Sequence, residues 1–166
     1  MRYILSAMMF LAALDCRSAA AADGPLELTV PQGWSSEYKG EKGVDFYSLT
    51  PPSAGSGLLM LFKWPAPTRP AEIPGLVKKL ADGFVKAAAK GGRYKLTSKK
   101  YEVESLSGEH CRGNHAAFWI KSGKDDLVQG IFMVSVDGQI WNGQFTGQSE
   151  HWLAALKTLK LLKKKG

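Results

Sequence analysis

The chain has 166 residues, 45% of them hydrophobic and 22% charged, with a formal net charge of +7. That is the balance of one globular domain with a removable end, and it excludes disordered and low-complexity scaffolds. Two cysteines cannot build a disulfide-rich scaffold, no stretch approaches the roughly 20 apolar residues of a membrane-spanning helix, and the positive charge points to anionic partners only in general terms.

Residues 1–22 read as an export signal. Arg2 stands near the start, an apolar run extends from Ile4 to Leu14, and Ser18 with Ala19 to Ala22 precedes Asp23. A short basic start, an apolar core and small residues before a polar one mark a secretory signal. Cleavage is expected near Ala22, which places the protein in the periplasm or outside the cell. Asp15, where a lipid-anchor motif wants a small residue, precedes Cys16 and argues against lipidation. Removal of this segment leaves Cys111 as the remaining cysteine, so an intramolecular disulfide is not expected.

Leu26 to Val30 alternates apolar and polar residues, the period of a half-buried strand, and Pro31-Gln32-Gly33 breaks it before Trp34. Val44 to Leu49 predicts a second strand, closed by Pro51-Pro52. Leu58 to Trp64, apolar on both faces except for Lys63, predicts a third strand inside the sheet. The prolines between Pro65 and Pro70 mark a crossover loop. Ile73, Leu76, Val77, Leu80, Phe84 and Ala88 then recur at helical spacing, with lysines on the other side. Pro74 suits the first turn of that helix, and Gly91-Gly92 its end.

Four strand-like runs follow: Tyr94 to Val103, Ala116 to Lys121, Leu127 to Val136 and Gln139 to Thr146. Asp137-Gly138 between the last two is a strong hairpin signal. Ser149 is placed to cap a final helix, whose buried stripe is Trp152, Ala155, Leu156, Leu159 and Leu162. Three strands, a helix, four strands and a helix predict an α+β fold in one domain over 23–166. Its mostly antiparallel sheet is flanked by two helices as an α/β/α sandwich.

This order, with its landmarks, resembles the PsbP-like and DcrB-like fold family. The landmarks are the opening Val30-Pro31-Gln32-Gly33-Trp34, the proline-rich approach to the first helix, the Leu106-Ser107-Gly108 step, and the closing Trp152 to Leu162 helix with its lysine-rich end. The resemblance covers residues 25–163. It implies a non-catalytic protein that binds other proteins or stabilises assemblies outside the cytosol, and it transfers no site residues.

The residues themselves offer no G-x-S-x-G, H-E-x-x-H, Walker or dinucleotide motif, so neither catalytic residues nor a cofactor are expected. His110, Cys111 and His115 are candidate metal ligands, of types that zinc and copper accept. Adjacent residues of a strand point to opposite sides, however, and the plainer alternative is a turn with one buried thiol and two surface histidines. Asp125-Asp126 reads as a solvated turn, and His151 beside Glu150 as an exposed helix-start residue. Trp119 alternates with Phe118; if Phe118 faces the core, Trp119 either lies under a helix or faces out as an aromatic anchor. Lys157, Lys160, Lys163 and Lys164 concentrate charge near the end of the chain.

Trp119 and these lysines are the candidate contacts to another protein. The leading expectation is a non-catalytic exported protein-binding or accessory module, for instance an immunity or assembly-stabilising protein. The alternative is a periplasmic protein binding a small ligand or metal at His110, Cys111 and His115. Nucleic acid is not expected as a partner, and a membrane surface is a secondary possibility.

Overall fold

The computed structural model describes residues 24–41, 43–53, 57–91 and 94–166. The expected export signal over 1–22, with Cys16, lies outside the described residues. In chain order the elements are β1 (Leu26–Glu27), β2 (Ser35–Glu41), β3 (Val44–Thr50), β4 (Gly57–Lys63), α1 (Ile73–Ala89), β5 (Lys95–Leu96), β6 (Glu104–Ser107), β7 (Cys111–Ser122), β8 (Asp125–Val136), β9 (Gln139–Gly147), α2 (Ser149–Lys160) and β10 (Lys163–Lys164). The main sheet runs β2-β3-β4-β9-β8-β7-β5, with β6 also on β7, and its neighbours pair antiparallel.

Alternation along the long strands creates two cores. On one side Tyr47, Leu59, Leu61, Phe132, Val134, Trp141 and Phe145 are sealed by Trp152, Ala155 and Leu159 of α2. Leu26, Leu28, Val30 and Trp34 complete that roof. The Leu26 N–H donates to the Tyr47 hydroxyl at 2.8 Å, and β1 pairs with β10, so the 26–30 segment is fastened to the end of the chain. On the other side Ala116, Phe118, Ile120, Ile131 and Met133 lie beneath Ile73, Val77 and Ala81 of α1.

The α+β sandwich is as expected, with local corrections. Leu26 to Val30 keeps its alternating burial, but only Leu26–Glu27 is a paired strand, and it lies outside the main sheet. β2 was not foreseen, because Ser-Ser-Glu-Tyr-Lys-Gly-Glu has little apolar periodicity. It is an edge strand held through Tyr38, whose ring lies 4.9 Å from that of Tyr47. Tyr94 to Val103 contributes only β5 as strand. Apart from Leu96, its apolar residues pack beside α1 without pairing: the Tyr101 ring rests on Phe118 at 5.0 Å and its hydroxyl donates to Asp82 at 2.6 Å. Alternation there reports burial and not a ladder. The N-cap of α2 is Gln148, with Ser149 the first helical residue.

The turns follow their chemistry. Asp137 and Gly138 adopt φ of 46° and 84°, as a two-residue hairpin requires. Gly130 lies under the Trp152 ring, where a side chain would collide with the indole, and that contact seats α2 on β8.

Candidate functional site

The His–Cys cluster does not assemble. β7 begins at Cys111, not at Ala116, so His110 to His115 is mostly strand. Cys111 is buried on the α2 side, where burial, aided by the charge of Asp137, pushes its thiol up to about 12. Such a thiol is neither a ready nucleophile nor a ready ligand. His110 sits in the turn before β7, exposed, with Nδ1 3.3 Å from Asp137 and Nε2 3.7 Å from Glu109.

His115 was expected at the surface in the turn alternative but is buried, because strand alternation carries it under α2. Its ring meets Trp152 edge-on at 5.6 Å, and its Nδ1 has no hydrogen-bond partner. Burial lowers its pKa, opposed by Glu104 and reinforced by Lys160. Four residue steps along β7 separate it from Cys111, roughly 13 Å. Among the described residues no group of three or more His, Cys, Asp or Glu side chains converges.

Trp119 is 55% exposed, whereas Phe118 is buried beneath α1. It stands on the α2 side of the sheet opposite Val128, two pairs beyond the Ala117–Gly130 pair whose glycine carries Trp152. The lysines lie at the other end of α2, where the Lys160 carbonyl abuts Gly108 and Lys163–Lys164 forms β10. Eight residue steps along β7 separate Cys111 from Trp119, roughly 26 Å, so Trp119 and the lysines lie toward opposite ends of α2 and do not form one compact patch. Asp125 and Asp126, expected in a turn, are exposed residues that open β8 opposite Ser122 and Lys121, with Asp126 paired to Lys121 at 3.5 Å. His151, expected to be exposed, is largely covered, its ring edge-on to Trp34 at 5.7 Å.

The surface that sequence reasoning missed is half of the sheet itself. α1 packs on β5, β7 and β8, and of β9 only Ile140 at its start joins the α1-side core. Beyond Ile140 the same face continues without a helix across the rest of β9, β4 and β3. Its rungs are Asn142–Phe62–Phe46, Gln144–Met60–Ser48 and Thr146–Leu58. Phe46, Leu58, Met60 and Phe62 are half-buried and Gln144 is exposed, while Leu59 and Leu61 on the reverse face are fully buried.

Phe46 and Phe62 stack with centroids 4.7 Å apart. The Thr146 hydroxyl donates to Gln129 Oε1 at 2.6 Å, and Gln129 Nε2 donates to the Gly130 carbonyl at 3.3 Å. Two depressions occupy this face: one of about 890 Å³ bordered by Val44, Phe62, Trp64 and Asn142, the other of about 780 Å³ bordered by Leu58, Met60, Gln144 and Phe84. Apolar side chains interleave with amides on this face, and Glu37 and Lys39 pair at 3.2 Å on the neighbouring edge strand. The signal was present in Leu58 to Lys63. Its second apolar face reads equally as buried under a helix or as open for contact.

No protein-family profile matches the chain, and no curated protein matches it. Among solved structures it is similar to the solution structure of cyanobacterial PsbP (CyanoP) from Synechocystis sp. PCC 6803. The TM-score is 0.55 over 89% of this chain and 91% of that one, at 12% sequence identity. The fold is PsbP-like, a large antiparallel sheet with two helices. Likeness at this level is a statement about fold, and function has to be argued from the surfaces.

Proposed function

We propose that the protein is a non-catalytic exported module that works by contact with another polypeptide, through the bare half-sheet centred on Met60, Phe62 and Gln144. The observation that carries this reading is the boundary between β8 and β9. On one side Ile131 and Met133 are roofed by α1; on the other, Met60 and Phe62 in the same rungs are only half-buried, with no helix over them. A row of large apolar side chains left without its roof offers a partner contiguous apolar surface to remove from water.

The non-catalytic part is supported by the inert Cys111 thiol and by the separation of His110 from the buried His115. It also agrees with what the PsbP-like resemblance implies. Export rests on the signal features of residues 1–22.

A photo-crosslinking residue at position 60 or 144, introduced in the full chain in its source cells, tests the reading. One discrete protein adduct is expected from both positions, and none from position 79 on the outer side of α1. The purified partner should bind the wild-type chain and not Met60→Lys. Adducts of equal pattern from all three positions would remove the bare face as the contact.

A further inference from the structure

The side of the molecule opposite that face carries a second surface. α2 buries Trp152, Ala155, Thr158 and Leu159 and thereby turns Leu153, Lys157, Lys160 and Leu161 outward, at spacings of three and four that share one side of a helix. Leu153 is 62% and Leu161 56% exposed; with Trp119 they are three of the five large hydrophobic side chains that stand exposed among the described residues. Trp119 lies on the same side of the sheet, beyond the first turn of α2.

The charge on this side is uneven. Lys157 and Lys160 take part in no ion pair among the described residues, and Lys164 follows at the exposed end of β10. Lys163 is held by Glu27 at 3.0 Å. The carboxylate of α2, Glu150, sits in its first turn beside His151, away from the lysines. α1 is also basic on its outer side, but Lys78 is tied to Asp82 at 2.7 Å, and its exposed apolar residue is Leu80 alone, at 38%.

We propose that the outer side of α2 docks on the anionic lipid surface of a membrane. Leu153, Leu161 and Trp119 enter the headgroup zone, and Lys157, Lys160 and Lys164 meet lipid phosphates. Apolar and basic side chains on one exposed helix side are how amphipathic helices lie in an interface. Tryptophan favours the headgroup level, and lysines near an anionic leaflet are attracted over about a Debye length. Docked in this way, the protein keeps the bare half-sheet free on the opposite side.

Co-sedimentation of the full chain with phosphatidylcholine vesicles, and with vesicles containing about one quarter phosphatidylglycerol, tests this. Binding is expected to the second and not the first, and to fall with salt. The variant K157Q/K160Q/K164Q should bind about a hundredfold more weakly and L153Q/L161Q about tenfold. K79Q/K86Q/K90Q, with the same charge change on the α1 side, should stay within about threefold of wild type; circular dichroism checks that all three variants are folded.

Several results overturn the proposal. They are the absence of vesicle binding, equal binding to both vesicles, and binding that survives K157Q/K160Q/K164Q, which would assign it to residues 4–14. Loss of binding in K79Q/K86Q/K90Q alone would assign it to α1. Capture of an acidic protein by wild type and not by K157Q/K160Q/K164Q, without vesicle binding, replaces lipid by protein as the occupant.

Discussion

The two faces of the main sheet are built from the same strands and serve different ends. Toward α2 the inward residues of β3, β4, β8 and β9 are closed over by a helix and by the 26–34 segment, and Tyr47, Leu61, Phe132 and Phe145 are completely buried. Toward α1 the roof ends at Ile140 of β9, and the rungs run from buried Met133 and Ile131 to half-buried Asn142, Met60 and Phe62 and exposed Gln144. The difference teaches that the larger core lies on the α2 side, while half of the α1 side is left without a helix over it.

The sharpest test compares aromatic truncations across the sheet. Phe145→Ala removes a ring packed 5.6 Å from Trp152 in the closed core and is expected to cost about 3–5 kcal/mol. Phe62→Ala removes a half-exposed ring and should cost about 1 kcal/mol, because water already reaches it. Urea midpoints at constant m-value measure both. Equal losses would mean that the bare face is core and would break the comparison.

Next in size are substitutions of glycines that the two helices see differently. Gly130→Ala drives a methyl into the Trp152 ring and should destabilise by about 1–3 kcal/mol as α2 lifts from β8. Gly75→Ala on α1 meets open space and should stabilise by about 0.5–1 kcal/mol, the helix-propensity gain. Thermal midpoints of the two variants should therefore move in opposite directions.

Acid should act first on the α2 side. Burial holds the His115 pKa below 6.5, so the unfolded chain binds the proton more readily and stability declines as pH falls from about 6.5 toward the folded-state value. Asp45, Asp82 and Asp137 are held below 3.8, chiefly by hydrogen bonds from Tyr38, Lys78 and the Lys164 backbone respectively. Their contributions are lost only at more acidic pH. His115→Leu should flatten the melting temperature between pH 7 and about 5 and leave the steeper acid limb in place. An unchanged slope in that window would assign it to another group.

Much of this division was legible in the sequence, and the exceptions share a cause. Periodicity placed α1, α2, β8 and β9, because their burial repeats at 3.6 or 2 residues. β2 escaped because an edge strand needs only Tyr38 to hold it, and the 94–103 segment misled because packing without pairing leaves the same pattern as a strand. His115 was misplaced by the late start assumed for β7; with Cys111 as the first residue, alternation alone buries it. The bare half-sheet could not be read, since Leu58, Met60 and Phe62 are the same letters whether or not a helix ends one strand short of covering them. Its amides, Asn142 and Gln144, were the available hint.

The smallest expected effect on stability carries the most information about the site. Gln144 projects from β9 between Met60 and Ile131, at the line where the α1 roof stops. Its side chain is exposed, so Gln144→Lys should shift unfolding free energy by no more than about 0.5 kcal/mol. A partner that closes over this rung must bury the new ammonium without a counter-charge, at a cost of several kcal/mol. Binding measured by calorimetry should therefore weaken at least about a hundredfold while the melting temperature stays within a degree or two. A variant that loses stability instead of affinity would show that Gln144 holds the sheet together, and the open half would then be only a thinner part of the core.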